Sequence, residues 1–166
     1  MGLWLAWVLS SRGLAVALID AQNDLGNGSS IRNEGWLHRG TYYAATIVDR
    51  AAAMQVAQRT ILGHDATLRL APESLEELDS KTFVLLRSEC LDEITSRWDE
   101  AGVFYRYLCK ADFQALEPEL DVGNYDCVCE VADVAINNRI VYSKLASQAR
   151  ANAVSIFYWH EGAQLL

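Results

Sequence analysis

The first twenty residues contain the pattern that most narrows the possible folds of this chain. Residues 3–12 have the composition of a helix, and Gly13 stands where a helix commonly ends. The apolar run from Leu14 to Ile19 contains β-branched residues and ends on Asp20, which predicts a strand buried on both faces in a parallel sheet. Helix, glycine, strand and acid form the second half of a βαβ unit, so the predicted fold class is α/β.

Gly2 and Asp20 carry the first functional prediction. In dinucleotide-binding folds a Gly-x-Gly-x-x-Gly run joins the first strand to a helix, and its third glycine lets the helix pack closely on the sheet. Asp20 follows Gly2 by 18 residues, about the spacing of the carboxylate that binds a ribose hydroxyl. We therefore expect the chain to begin inside such a motif, with the first strand missing. An ordinary helix start and a surface aspartate explain this spacing equally well.

Further along the chain, apolar periodicity predicts alternating helices and strands. The predicted helices are residues 43–62, 88–101 with Ser88 as the cap, and 140–152. The predicted strands are residues 82–86, 103–108, 127–131 and 154–159. Ser74 and Glu77 form the signature of a capping box, which predicts a short helix, and residues 112–116 predict one turn ahead of Pro118. Residues 21–40 are polar and rich in glycine, which predicts a long functional loop.

Charge and cysteine content exclude several classes of function. The 166 residues have a net charge of −8 and no cluster of lysine and arginine, whereas a nucleic-acid-binding surface needs a basic patch. Among the four cysteines, Cys127 and Cys129 form the one close pair, and no zinc-site spacing surrounds it. We expect reduced thiols in a cytoplasmic protein, with metal binding by this pair as the less favoured alternative. Residues 3–9 are too few to span a membrane and lack the basic start of a signal peptide.

The segment from Gly28 to Tyr43, GSSIRNEGWLHRGTYY, decides the cofactor. It resembles the GSSxRNxGxxHxGxYY-like run of FAD-dependent oxidoreductases of the D-amino-acid oxidase superfamily, most of all the 2-hydroxyglutarate oxidase and glycerol-3-phosphate dehydrogenase branches. Residues 3–20, 112–118 and 140–148 are similar to the family more diffusely. The resemblance implies an FAD site that contains Gly2, Asp20, Ser29, Ser30, Arg32, Asn33, Gly35 and His38.

The residue types in this segment suit the chemistry that the resemblance implies. A pyrophosphate needs N–H donors, hydroxyls and a cation, which Ser29, Ser30 and Arg32 supply, although Arg32 could instead pair with a surface carboxylate such as Asp24 or Glu34. Asn33 would bond polar atoms of the flavin, and Gly35 would let the backbone approach a flat ring.

His38 is the one candidate catalytic residue. The resemblance implies that it lies near the isoalloxazine, where it would tune the flavin or move protons as substrate is oxidised. A structural, hydrogen-bonded histidine is the alternative, and His64 and His160 have no motif around them.

The resemblance also implies how the chain is divided. Residues 1–70 would begin a Rossmann-type FAD-binding domain that lacks its first strand, residues 71–126 would form part of an inserted α+β substrate domain, and residues 127–166 would return to the FAD-binding domain.

The implied activity is the oxidation of a C–OH or C–N bond of a small hydroxy acid or amino acid, with hydride transfer to FAD. The alternatives are an inactive, truncated remnant that serves only as an interaction protein, and a nicotinamide-dependent dehydrogenase, which needs no segment like residues 28–43. Because the first strand is missing, we expect the 166-residue chain alone to bind FAD poorly or not at all.

Overall fold

The computed structural model of the protein describes residues 2–76 and 81–158, in which helices and strands alternate along the chain. The α-helices of this part are α1 (Gly2–Ser10), α2 (Thr41–Thr46), α3 (Arg50–Leu70), α4 (Ser88–Ala101), α5 (Lys110–Leu116) and α6 (Asn138–Ala151). The strands are β1 (Ala17–Ile19), β2 (Trp36–Leu37), β3 (Thr82–Leu86), β4 (Tyr105–Leu108), β5 (Cys127–Val131), β6 (Val134–Ala135) and β7 (Ser155–Phe157). The structure is therefore mixed α/β.

The chain divides into two compact units. Over the described residues, the first unit comprises residues 2–35, 67–76 and 136–158, and the second comprises residues 36–66 and 81–135. The units group residues by their contacts, and the division into an FAD-binding and a substrate domain stays a prediction. Residues 36–66 and 127–135, which the resemblance assigned to the FAD-binding domain, belong to the second unit.

In the first unit, β1 and β7 form a two-stranded parallel sheet in which Leu18 lies opposite Ile156. The prediction of a strand buried on both faces is wrong, because Ile19 and Phe157 lie side by side in the register and are 53% and 47% exposed. Helix α1 packs against α6 and contacts β1. The face of Leu18 is therefore covered, whereas about half of the Ile19 surface on the other face is exposed.

The predicted helix at residues 43–62 is wrong in its bounds and in its continuity. Helix α2 ends at Thr46, and Ile47 follows with φ −74° and ψ 123°, an extended conformation. Asp49 then caps α3, because its carboxylate accepts a hydrogen bond from Ala52 N–H at 2.7 Å. The apolar repeat concealed this break, since Ile47 continues the spacing of the core positions that follow it.

The second unit is built on the antiparallel sheet β3–β5–β4. Successive residues of β5 point to opposite faces, so Cys129 packs in the core beneath α4 and Val128 packs against Phe113 of α5. Trp98 is fully buried at the centre of the larger core. Its buried neighbours there are Ala44, Ala53, Met54, Ala57, Leu86, Ala101, Val103, Cys129 and Val131.

The short helix predicted to start at Ser74 also differs from the structure. Ser74 does not start a helix: it ends the 3₁₀ helix Pro72–Ser74, and its buried hydroxyl donates to the carbonyl of Ala71 at 2.7 Å. The other half of the predicted capping box, Glu77, lies outside the described residues, as does Trp159, the predicted end of the last strand.

The four cysteines are free thiols, and burial raises the pKa of the Cys129 thiol to about 12, with Cys127 adding to the effect. Within residues 2–76 and 81–158 no group of three or more possible ligands is arranged to hold a metal ion. No helix in those ranges has the length and apolar character needed to cross a membrane.

Candidate functional site

Gly2 begins α1 and lies against the first strand of the unit. A Cβ on Gly2 would come within 3.3 Å of Leu18 Cδ1, closer than an ordinary contact. Close packing of helix on strand is the task of the third glycine in a dinucleotide-binding motif. No acidic side chain lies in the first turn of α1 to compete for the N–H groups there.

Asp20 and Arg32 are both accessible to a ligand. Asp20 directly follows β1, where its N–H donates to the carbonyl of Phe157 at 2.9 Å and its Oδ1 accepts from Gln22 N–H at 2.9 Å. The carboxylate therefore lies at the carboxyl end of a parallel strand, where open α/β sheets bind ligands. Arg32 is exposed. Among the described residues it forms no ion pair with Asp24 or Glu34, so its charge is available to a ligand.

Asn33 and Gly35 are held by contacts with their own unit. The Asn33 amide donates to the carbonyl of Ser30 at 3.1 Å, and its oxygen accepts from Gly35 N–H at 2.9 Å and from the Asn138 side chain. Gly35 has φ +71°, and a Cβ there would lie 2.7 Å from the carbonyl oxygen of Ile136. The close approach that requires glycine at position 35 is thus an approach to this chain's own backbone.

We expect Gly35→Ala to lower the free energy of unfolding by about 2 kcal/mol, since alanine would meet both a left-handed backbone and the Ile136 carbonyl. Gly63→Ala is the matched control. Gly63 lies within α3, and a Cβ there would meet no atom within 4 Å, so alanine should raise stability by roughly 0.5–1 kcal/mol. Urea unfolding of the two variants measures both effects, and equal changes would contradict the role of Gly35.

In the second unit, the short antiparallel pair β2–β6 brings His38 next to Asp133. Leu37 pairs with Val134, so the next position of the register joins His38 to Asp133. His38 Nδ1 lies 2.7 Å from Asp133 Oδ2. The two residues are distant in sequence, and only the pairing of these strands makes them neighbours.

Asp133 has all of its acceptor groups occupied. Its Oδ1 accepts from Arg39 N–H and from the Thr41 hydroxyl, each at 2.7 Å, and its carbonyl accepts from the Thr82 hydroxyl at 2.7 Å. The side chain is only 3% exposed. Because an ionised carboxylate can only accept, His38 donates from Nδ1, and its Nε2 is the nitrogen left for other chemistry.

The Asp133 carboxylate is ionised in spite of its burial. Burial alone raises its pKa, but the hydrogen bonds from His38, Arg39 N–H and Thr41 outweigh that effect, so the pKa lies below the ordinary value of 3.8. A group whose pKa is lowered by folding stabilises the protein above its unfolded pKa, and this contribution is lost as the pH falls through the folded pKa.

The stability gap between the wild type and Asp133→Asn should therefore shrink as the pH is lowered from about 6 to about 3. Urea unfolding at each pH measures the gap. The other carboxylates with lowered pKa values, Asp65, Glu73 and Asp126, are common to both proteins and cancel in the difference. A gap that stays constant or widens toward pH 3 would contradict an ionised Asp133.

Aromatic rings and a second ion pair surround His38. Its ring stacks on Tyr42 with centroids 5.4 Å apart and an interplanar angle of 25°, and it meets the edge of Tyr43 at 6.4 Å. Next to it, Arg39 forms a bidentate pair with Asp65, which with a further hydrogen bond from His64 holds the pKa of Asp65 below its ordinary value.

A pocket of about 310 Å³ opens beside this pair within the second unit. His38 and Asp133 both line it, together with aromatic and aliphatic side chains. An apolar pocket with a few polar groups and one titratable pair is the usual form of a small-molecule site.

The predicted site residues do not form one cluster within a single unit. Ser30, Asn33 and Gly35 are joined by hydrogen bonds in the first unit, which also contains Gly2, Asp20, Ser29 and Arg32, whereas His38 belongs to the second. The predicted loop at residues 21–40 is also more ordered than expected, because it contains the 3₁₀ helix Ser29–Ile31 and strand β2.

Asp133 is the site residue that sequence reasoning missed. A signal was present, since Asp133 is the one charged residue in the apolar run from Val131 to Ile136. A carboxylate in such a run is buried only when it has partners, which predicts a paired aspartate without naming the partner.

The sequence model of the protein family described as FAD dependent oxidoreductase matches residues 1–162. No curated protein sequence matches the chain significantly. Among solved structures, glycine oxidase from Geobacillus kaustophilus is similar with a TM-score of 0.69 and 16% identity, over 95% of this chain and 44% of that one. Reduced L-alpha-glycerophosphate oxidase from Mycoplasma pneumoniae with FAD bound has a TM-score of 0.69 and 20% identity, over 95% and 41%.

L-proline dehydrogenase from P. horikoshii is similar over 99% of this chain and 42% of its own, with a TM-score of 0.68 and 13% identity. At these identities the likeness concerns the fold alone. The chain thus spans less than half of the length of the solved structures it matches.

Proposed function

Because this chain belongs to the family of FAD-dependent oxidoreductases, we propose that it is part of an enzyme that oxidises a C–OH or C–N bond of a small hydroxy acid or amino acid. In this proposal the first unit is a partial Rossmann-type domain that binds the nucleotide part of FAD, and the second unit carries the proton-handling residue. When bound, FAD supplies the hydride acceptor.

The donor set of the first unit fits a dinucleotide. Asp20 offers a carboxylate to a ribose hydroxyl, and Arg32 offers an exposed guanidinium to a phosphate. At Gly28 a Cβ would meet no atom within 4 Å, so the backbone there is open to the approach of a ligand. Asn33 and Gly35, which we predicted as direct contacts, would serve by holding the segment in shape.

His38 has the geometry of a base. Oxidation of a C–OH or C–NH₂ group removes a hydride from carbon and a proton from oxygen or nitrogen, leaving a carbonyl or an imine. The neutral imidazole would take this proton at Nε2, since Nδ1 already donates to Asp133. The buried carboxylate would then stabilise the imidazolium that forms, as the aspartate does in a Ser-His-Asp triad.

The observation that carries this assignment is the 2.7 Å contact between His38 Nδ1 and a carboxylate that is nearly fully buried. A base needs both a fixed tautomer and a neighbour that stabilises its positive charge, and this contact offers both.

The proposed function is tested on the longest open reading frame that contains the chain, together with the 166-residue chain itself. We expect the longer protein to purify with FAD and to reduce a dye with a hydroxy acid or amino acid. The 166-residue chain should carry FAD well below stoichiometry, because its parallel sheet has two strands among the described residues and Ile19 in it is 53% exposed. Absorbance at the flavin bands measures the FAD content of both proteins, and the absorbance of the dye measures its reduction.

Two variants of the longer protein separate FAD binding from proton transfer. Arg32→Gln should weaken FAD binding roughly tenfold through loss of a phosphate contact. His38→Gln should keep FAD but lower kcat by about 10²-fold or more, the usual contribution of a general base. A longer protein that binds a nicotinamide cofactor and no FAD would overturn the proposal.

A further inference from the structure

The pocket beside His38 has a wall made mostly of apolar rings and side chains. Its lining includes Trp36, Tyr42, Phe83, Val84 and Trp98, all from the second unit. The pocket volume of about 310 Å³ is near the lower limit of small-molecule sites, enough for a phenyl or branched aliphatic group but not for a large cofactor.

The charges of the lining are unusual for a protein that acts on acids. No lysine or arginine lines the pocket among the described residues, and the charged carboxylate there is Asp133. The nearby Arg39 is committed to Asp65 through two hydrogen bonds. His38 Nδ1–H donates a hydrogen bond to the Asp133 carboxylate, whose negative charge leaves the pair with no net positive charge to offer an anion.

A substrate side chain that carries a second carboxylate would bind weakly in this pocket. It would enter a partly desolvated pocket that already holds a negative charge and would find no cation to pair with. An apolar group would instead remove aromatic surface from water, which is favourable in proportion to the area covered. The lining thus discriminates by charge as well as by size.

We propose that this pocket binds the apolar side chain of the substrate, which narrows the substrate to monocarboxylic hydroxy acids or amino acids with an aromatic or branched aliphatic side chain. The role of the pocket in binding substrate rests on the proposed function, whereas its preference for an apolar over an acidic group does not. The lining that this chain supplies disfavours dicarboxylic acids of the 2-hydroxyglutarate type.

The test needs neither FAD nor turnover and uses the 166-residue chain. The probes are 3-phenylpropanoate and glutarate, and binding is followed by the indole N–H cross-peaks of Trp36 and Trp98 in ¹H–¹⁵N NMR spectra, assigned with Trp→Phe variants. We expect 3-phenylpropanoate to shift both peaks and to bind at least about tenfold more tightly than glutarate.

Two variants and one control define the site. Ala45→Phe fills the pocket and should weaken 3-phenylpropanoate binding at least tenfold, roughly the effect of losing one buried ring. Ala51→Phe makes the same change on the exposed face of α3 and should leave binding unchanged. Thr46→Arg adds a cation to the lining and should raise glutarate affinity severalfold, which tests the charge argument even if Ala45→Phe perturbs folding.

The inference would be overturned if the unaltered chain bound glutarate as tightly as 3-phenylpropanoate or more tightly. It would also be overturned if lumichrome displaced 3-phenylpropanoate and bound with higher affinity, since the pocket would then hold a cofactor ring. These outcomes are distinct from failure of the proposed function, which shows as absence of FAD and dye reduction in the longer protein whatever the pocket prefers.

Discussion

Asp133→Ala is expected to lower the free energy of unfolding by about 3 kcal/mol, and the melting temperature by about 10 °C. Three donors would lose their acceptor at once: His38 Nδ1–H, Arg39 N–H and the Thr41 hydroxyl. Because the carboxylate is nearly fully buried, water would not replace it freely at these groups. Urea unfolding followed by circular dichroism measures the loss.

Asp126→Ala is the matched control for Asp133→Ala. Asp126 also accepts hydrogen bonds from an amide and a hydroxyl, both of Ser88, but it is exposed. Water can take its place, so its removal should cost clearly less than removal of Asp133. A loss at Asp133 no larger than the loss at Asp126 would show that the buried network contributes little.

Trp98→Ala is expected to cost the second unit about 4 kcal/mol, a larger loss than that of Asp133→Ala. Trp98 is fully buried, its ring packs 5.2 Å from that of Tyr105, and its Nε1–H donates to the carbonyl of Thr41 at 3.0 Å. The alanine would leave a cavity that joins the pocket which Trp98 already lines. Differential scanning calorimetry measures the change.

Two further variants divide the Trp98 effect into its causes. Trp98→Phe removes the hydrogen bond and part of the volume and should cost about 2 kcal/mol. Trp36→Ala makes the same substitution at a tryptophan that is 39% exposed and should cost roughly half as much as Trp98→Ala. Similar losses of unfolding free energy for Trp36→Ala and Trp98→Ala would contradict the central position of Trp98 in the core.

Sequence reasoning predicted well those elements whose signal is local. Strands β3 and β5 were predicted with the bounds that the structure has, and α4 with its end at Ala101. Ser88 was predicted as the cap of α4, but the cap is Arg87 and Ser88 begins the helix. The break between α2 and α3 was missed, since Asp49 acts as a cap in a place where the apolar repeat runs on. A helix cap is a single residue, so its signal is weaker than that of an apolar repeat that extends over many residues.

The candidate site was predictable only in part for a related reason. The residue types from Ser29 to Gly35 suggested nucleotide binding, yet the contacts that give Asn33 and Gly35 their task come from Ile136 and Asn138. Strand pairing across the whole chain determines such contacts, and no local pattern encodes the partner. His38 was found from its motif, whereas its partner Asp133 required the β2–β6 register.

The 95-residue separation between His38 and Asp133 has a consequence for synthesis on the ribosome. A nascent chain holds His38, Arg39 and Thr41 without their common acceptor until residue 133 has left the exit tunnel. Contacts of such long range form late, because closure of the intervening loop costs entropy before any bond repays it. The second unit should therefore acquire its titratable pair in the final steps of folding, and ribosome stalling before residue 133 should leave β2 without its partner strand.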